Sequence, residues 1–160
     1  MNNDLGQIGN MFKTNHSVFE KATQGVPADK WLEQPGHDSN HPTWIVGHAV
    51  VHRALAAKIL GADWSAPWEK LFARGAQRVS SEQYPDAAEL QRAWREVSEK
   101  LHAALPKASP EMLSAKVPQG RPSLDGTVGG SLALLCFHET FHVGQMSYLR
   151  KWLGYGQAVG

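Results

Sequence analysis

The chain has 160 residues, 42% of them hydrophobic and six of them tryptophan, enough for one ordinary domain with a substantial core over residues 1–160. Sixteen Lys and Arg against fifteen Asp and Glu leave a net charge of +1 with no basic run, which argues against nucleic acid and anionic membrane surfaces as partners. No apolar stretch approaches the roughly 20 residues of a membrane span, and the N-terminus lacks a secretory pattern, so a cytoplasmic protein with no membrane association is expected.

The first helix is predicted over about 3 to 24, where Leu5, Ile8, Phe12, Asn15, Phe19 and Ala22 share one face, and it stops near Gly25 and Pro27. A short turn follows at Asp29-Lys30-Trp31-Leu32. The second helix spans about 41 to 60, with Ser39 and Asn40 as caps, Pro42 in the first turn, Gly61 at the stop, and Ile45, His48, His52, Leu55 and Ile59 as its seam. Another turn is expected at Pro67-Trp68-Glu69-Lys70-Leu71. The third helix runs from Pro85-Asp86 to about Leu105, with Leu90, Trp94, Val97 and Leu101 inward. Turn formers crowd Val117 to Gly126, and the fourth helix occupies about 127 to 153 before Gly154. Sustained strand alternation is absent, so the fold class is all-α, a four-helix bundle. Its connections of about 16, 24 and 21 residues exceed those of simple up-and-down bundles, so they should hold short helical turns or line a pocket.

The chemistry concentrates in Phe137-His138-Glu139-Thr140-Phe141-His142-Val143-Gly144-Gln145. Two imidazoles four residues apart on a helix differ by only about 40° in direction, so both can reach one cation. They fall on a seam of Ser131, Leu135, His138, His142, Gln145, Leu149 and Trp152, and buried neutral rings are commonly satisfied together by a metal ion. The competing reading is a hydrogen-bonded core pair. A third ligand is needed, and His48 on the second helix is the strongest candidate, which requires the second and fourth helices to pack side by side. His52 repeats the four-residue spacing and is either a further ligand, closing a four-histidine or two-metal site, or a hydrogen-bonding neighbour of the ligands. His16 and His102 read as partly exposed or hydrogen-bonded, and His37 and His41 as a loop and a helix-start residue.

His138-Glu139-Thr140-Phe141-His142 also spells the H-E-x-x-H string of zinc proteases. No Asp, Glu or His follows Val143, and the extended metzincin pattern fails at Gln145 and Tyr148, so that class is set aside, with Glu139 expected near the metal or in solvent. The lone Cys136 points about 200° away from His138 and reads as an inert buried thiol. Trp64 and Trp68, off every seam, suggest exposed aromatic surface and a homodimer, although a loop folded over its own bundle would hide them equally well.

Trp44-Ile45-Val46-Gly47-His48, His138-x-x-x-His142-x-Gly144-Gln145 and Leu149-Arg150-Lys151-Trp152-Leu153-Gly154 together resemble the DinB/YfiT superfamily of metalloenzymes, and Trp31-Leu32 and Asp38-Ser39-Asn40 resemble its lead-in to the second helix. The resemblance implies a four-helix bundle of unusual connectivity, one divalent ion per chain, zinc or nickel, held by His48, His138 and His142, and a homodimer. His52 is extra to that pattern. Relatives include mycothiol-dependent maleylpyruvate isomerase and bacillithiol S-transferases, so the implied function is a metal-dependent thiol S-transferase or hydrolase acting on a small molecule, with mycothiol, bacillithiol or glutathione as candidate low-molecular-weight thiols. Arg74, Arg121 and Arg150 are candidates to hold an anionic group, or ordinary surface residues. The alternative is a non-catalytic metal-binding stress or accessory protein whose site is structural.

Overall fold

The computed structural model describes residues 4–159, so Asn3, where the sequence places the start of the first helix, lies outside the described residues. Among the described residues five α-helices are present: α1 Asp4–Thr23, α2 Pro42–Ile59, α3 Ala87–Ala104, α4 Pro110–Ser114 and α5 Val128–Trp152. Among the described residues there is no strand, only one isolated bridge between Lys116 and Thr127. None of these helices is long and apolar enough to cross a membrane.

Each long helix begins or ends on identifiable chemistry. At the end of α1, Gly25 adopts φ 71°, a left-handed conformation that other residues resist. The start of α2 departs from expectation: its cap is His41, whose Nδ1 accepts from the Trp44 N–H at 3.1 Å, with Pro42 next in line. Ser39 is engaged elsewhere, closing a turn with both the N–H and the carbonyl of Gly36. Asp86 caps α3 by accepting from the Glu89 N–H at 2.7 Å, and Thr127 caps α5 by accepting from the Gly130 N–H. The one α-helix without a counterpart in the sequence is α4, a turn and a half started by Ser109 and Pro110.

Packing sets the connectivity. α2 lies against both α3 and α5, while α1 lies against α5 and more lightly against α3. The long helices therefore close in the order α1, α5, α2, α3, so that α1 and α2, consecutive in the chain, are not neighbours. A diagonal step requires a long connection, which accounts for the lengths of the first and third loops. The expected turns form as 3-10 segments at Ala28–Lys30 and Glu69–Phe72. The second loop folds over its own bundle, burying Trp68 and Phe72 and half-burying Trp64, whose indoles donate to Glu89 and Glu96. Trp64 and Trp68 are therefore not the exposed aromatic surface anticipated. Exposed rings lie instead along α5, at Phe137, Phe141, Tyr148 and Trp152.

The core stripe of α5 follows its predicted seam only in part. Ser131, His142 and Leu149 are buried as expected, but so are Leu132, Cys136, Glu139, Val143 and Met146, whereas Leu135, His138 and Gln145 are half-buried and Trp152 is exposed. The helix is apolar around most of its circumference, so periodicity does not single out the inner face. At the centre of that stripe Glu139 meets Arg53 of α2. Arg53 Nε and NH2 donate to the two carboxylate oxygens at 2.7 and 2.6 Å, NH1 donates to Ser98 Oγ of α3, and NH2 also donates to the Phe12 carbonyl of α1. The guanidinium lies 4.1 Å from the Trp94 ring centroid, a cation–π arrangement.

Removing one member of such a pair leaves the other buried and uncompensated, at a cost of about 3–5 kcal/mol. Arg53→Met and Glu139→Leu are each expected to lower unfolding free energy by about that much, while the double variant Arg53→Met/Glu139→Leu recovers much of the loss. Urea denaturation of the three proteins checks this, and equal, additive losses would contradict it.

Candidate metal centre

α2 contributes His48 and His52, and α5 contributes His138 and His142. His48 Nδ1–H donates to the Phe72 carbonyl at 2.6 Å, and His142 Nδ1–H donates to Gln145 Oε1 at 2.7 Å. An oxygen acceptor requires the proton on Nδ1, so both rings present a bare Nε2 lone pair. Both lone pairs point at His138 Nε2, 3.3 Å from His48 Nε2 and 3.1 Å from His142 Nε2. His138 has at most one proton there, so it cannot serve both neighbours with a full hydrogen bond. Its own Nδ1 is buried without a partner.

No placement of protons gives each of these three nitrogens a hydrogen-bond partner of its own. The three candidate ligand atoms lie within 4.8 Å of one another, and tetrahedral zinc with bonds of about 2.0–2.1 Å places neighbouring nitrogens about 3.3 Å apart. The donor set fits a divalent ion. Burial, reinforced by neighbouring imidazoles, lowers the pKa values of His48, His138 and His142 to about 4 each, so all three are neutral near pH 7, as ligation requires.

His48 is flanked by aromatic rings on both sides along α2. Trp44, one turn earlier, stacks on it at a centroid distance of 4.4 Å, and His52, one turn later, lies at 4.1 Å. His52 Nδ1–H donates to the His48 carbonyl at 3.0 Å, and its ring stands outside the group of three. Beyond His52 and His138 a cavity of about 280 Å³ opens. Its walls are the aliphatic side chains of Leu55, Ile59, Leu134 and Leu135, with Arg74 and Arg121 contributed by the second and third loops.

The remaining candidates fall elsewhere. Glu139 is neither beside the imidazoles' convergence nor in solvent: it is 1% exposed and both its oxygens are held by Arg53. Adjacent helix positions diverge by about 100°, which turns Glu139 into the core while His138 faces the cavity. It is thus unavailable as the water-activating base of an H-E-x-x-H protease. Cys136 is buried, and burial pushes its thiol up to about 12. His16 and His102 meet edge-on across α1 and α3 at 5.6 Å, His41 caps α2, and His37 is exposed. Arg150 donates to the Gln24 carbonyl rather than lining the cavity. Phe72 and Arg53 were not singled out by the sequence. A backbone carbonyl leaves no sequence signal, whereas Gln145, three residues after His142, was within helical reach and legible.

A family model described as the DinB superfamily matches residues 11–146. The chain belongs to the DinB superfamily. Its fold is similar to that in a crystal structure titled as the conserved protein of locus from Enterococcus faecalis, with a TM-score of 0.67 and 14% identity over 91% of this chain and 94% of that one. Among curated proteins there is no match.

The lowered histidine pKa values carry a sign. These rings are neutral in the fold and take up protons more readily unfolded, with an ordinary value of 6.5. Their contribution is fully present above about pH 6.5 and is lost as pH falls toward about 4. Melting temperatures of chelator-treated protein should therefore be flat from pH 8 to 7 and fall below 6.5, with a shallower fall for His142→Gln.

Proposed function

We propose that this DinB-superfamily chain is a divalent-metal-dependent enzyme of the thiol S-transferase or hydrolase type, using His48, His138 and His142 as ligands and acting on a small molecule in the adjoining cavity. The observation that carries this reading is the convergence of three Nε2 atoms, two of them with tautomers locked by Phe72 and Gln145. Zinc and nickel both suit an all-imidazole donor set. When bound, such an ion supplies positive charge that activates water or a low-molecular-weight thiol as a nucleophile near neutral pH.

The protein's own groups define the rest. The Phe72 carbonyl and Gln145 Oε1 orient two imidazoles and raise their basicity. Trp44 covers His48 on the side away from the cavity, so solvent and substrate approach from the side of His52. With His52 outside the group of three, three protein ligands would leave a coordination position for a reactant, the pattern of catalytic rather than structural sites. A pocket adjoining the site supports turnover over a purely structural role.

Protein purified without chelator is expected to carry about one divalent ion per chain by elemental analysis. His142→Ala should lose most of it and His52→Ala should keep it; equal loss in both variants would reject the ligand assignment. Gln145→Leu, which removes only the Nδ1 acceptor, should weaken metal affinity about ten-fold or more. Metal-loaded protein should then be assayed with mycothiol, bacillithiol or glutathione plus a chlorinated or maleyl electrophile, and separately for hydrolysis. Turnover in either format should vanish with His142→Ala.

A further inference from the structure

The cavity beside the imidazoles is divided chemically. Four aliphatic side chains, Leu55 and Ile59 from α2 and Leu134 and Leu135 from α5, give it an apolar wall, and no acidic residue lines it. The two cations there come from loops far apart in the chain, Arg74 two residues beyond buried Phe72 and Arg121 in the segment leading into α5. Among the described residues neither guanidinium has a carboxylate partner or a side-chain hydrogen bond, although other arginines of the chain are paired: Arg53 with Glu139, Arg95 with Glu20, and Arg78 with the carbonyls of His37 and Ser39. Arg74 is exposed and Arg121 half-buried, so both retain solvent access.

Two unpaired like charges lining one pocket repel each other, and an anion bound there offsets that repulsion. A guanidinium presents paired N–H donors in a plane that matches a carboxylate. The aliphatic wall cannot satisfy a polar group, so the part of such a ligand that lies against it must be apolar. The volume of about 280 Å³ lies at the small end of ligand pockets. We propose that the cavity is the binding site for a small carboxylic acid with an aliphatic body, its carboxylate held by Arg74 and Arg121 and its body lying on Leu55, Ile59, Leu134 and Leu135. As a statement of substrate class this deepens the proposed metal-dependent reaction and rests on it; as a binding site it stands on the cavity alone. The arginines are specificity-determining groups in this arrangement, and the imidazoles of His48, His52 and His138 line the same cavity.

The test is calorimetric titration of the full-length, metal-loaded protein with hexanoate, using hexan-1-ol and hexylamine as controls for the body and the charge. Hexanoate is expected to bind one per chain, with both controls at least about ten-fold weaker. Arg74→Gln and Arg121→Gln should each weaken hexanoate about five- to ten-fold, and the double variant more, while metal content and circular dichroism stay unchanged. The same titration is repeated on His142→Ala and on chelator-treated protein. Hexanoate binding that persists there within about three-fold, and still depends on the arginines, supports the carboxylate subsite even if metal analysis has failed. Because a carboxylate can itself ligate zinc, binding lost on metal removal and indifferent to the double arginine variant would put the carboxylate on the ion and overturn the proposal. So would an absence of hexanoate binding up to about 10 mM, or equal binding of hexan-1-ol.

Discussion

The bidentate pairing of Arg53 with Glu139 is the constraint on which the bundle and its site depend. Both side chains are essentially inaccessible, at 0% and 1% exposure, so their desolvation must be offset inside the protein. The offset is drawn from all four long helices: the carboxylate from α5, a hydroxyl and an indole face from α3, a carbonyl from α1, and the guanidinium itself from α2. Sliding either α2 or α5 by one residue would break several charge-assisted bonds at once. Arg53 directly follows His52, and Glu139 directly follows His138, so the ion pair fixes the register that sets His48 opposite His138 and His142.

On that frame the imidazole cluster has a closed side and an open side. Trp44 stacks over His48 on one side, and the aliphatic cavity with its arginines lies on the other. Depressed basicity and fixed tautomers have a common origin in burial, because the surroundings that exclude water also supply the Phe72 carbonyl and Gln145 amide as acceptors. The imidazoles are therefore held neutral and oriented by groups belonging to the core and to the second loop, independently of any ligand.

Much of this was legible in the sequence where one face of a helix differs strongly from the other. α3, with charged residues outward and Leu90, Trp94, Val97 and Leu101 inward, and α1, with Phe12, Phe19 and Ala22 buried, match their predicted seams. α2 and α5 carry apolar residues on most sides, so their deepest stripes were not distinguishable by period. That ambiguity concealed Arg53 and misplaced Glu139: a charged residue in an apolar helix reads as solvent-facing until its partner on another helix is known. The four-residue spacing of His138 and His142 and the matching position of His48 were readable because ligand geometry is local to a helix turn. What closes the second loop was not, since it depends on a main-chain carbonyl and on rings packing across about twenty residues of chain.

Phe72 has two roles at once, and they concern adjacent residues. Its ring occupies the space that a side chain at Gly47 would need, while its carbonyl holds the neighbouring His48 by Nδ1. Docking of the second loop and the orientation of His48 are thereby one equilibrium rather than two. By reciprocity, anything that binds His48 in its locked tautomer more tightly than in a free one must favour the docked loop by the same factor, and anything that pries the loop away must weaken that binding equally. Because Arg74 lies two residues beyond Phe72, the imidazole cluster and the charged side of the cavity are energetically joined through a single phenylalanine.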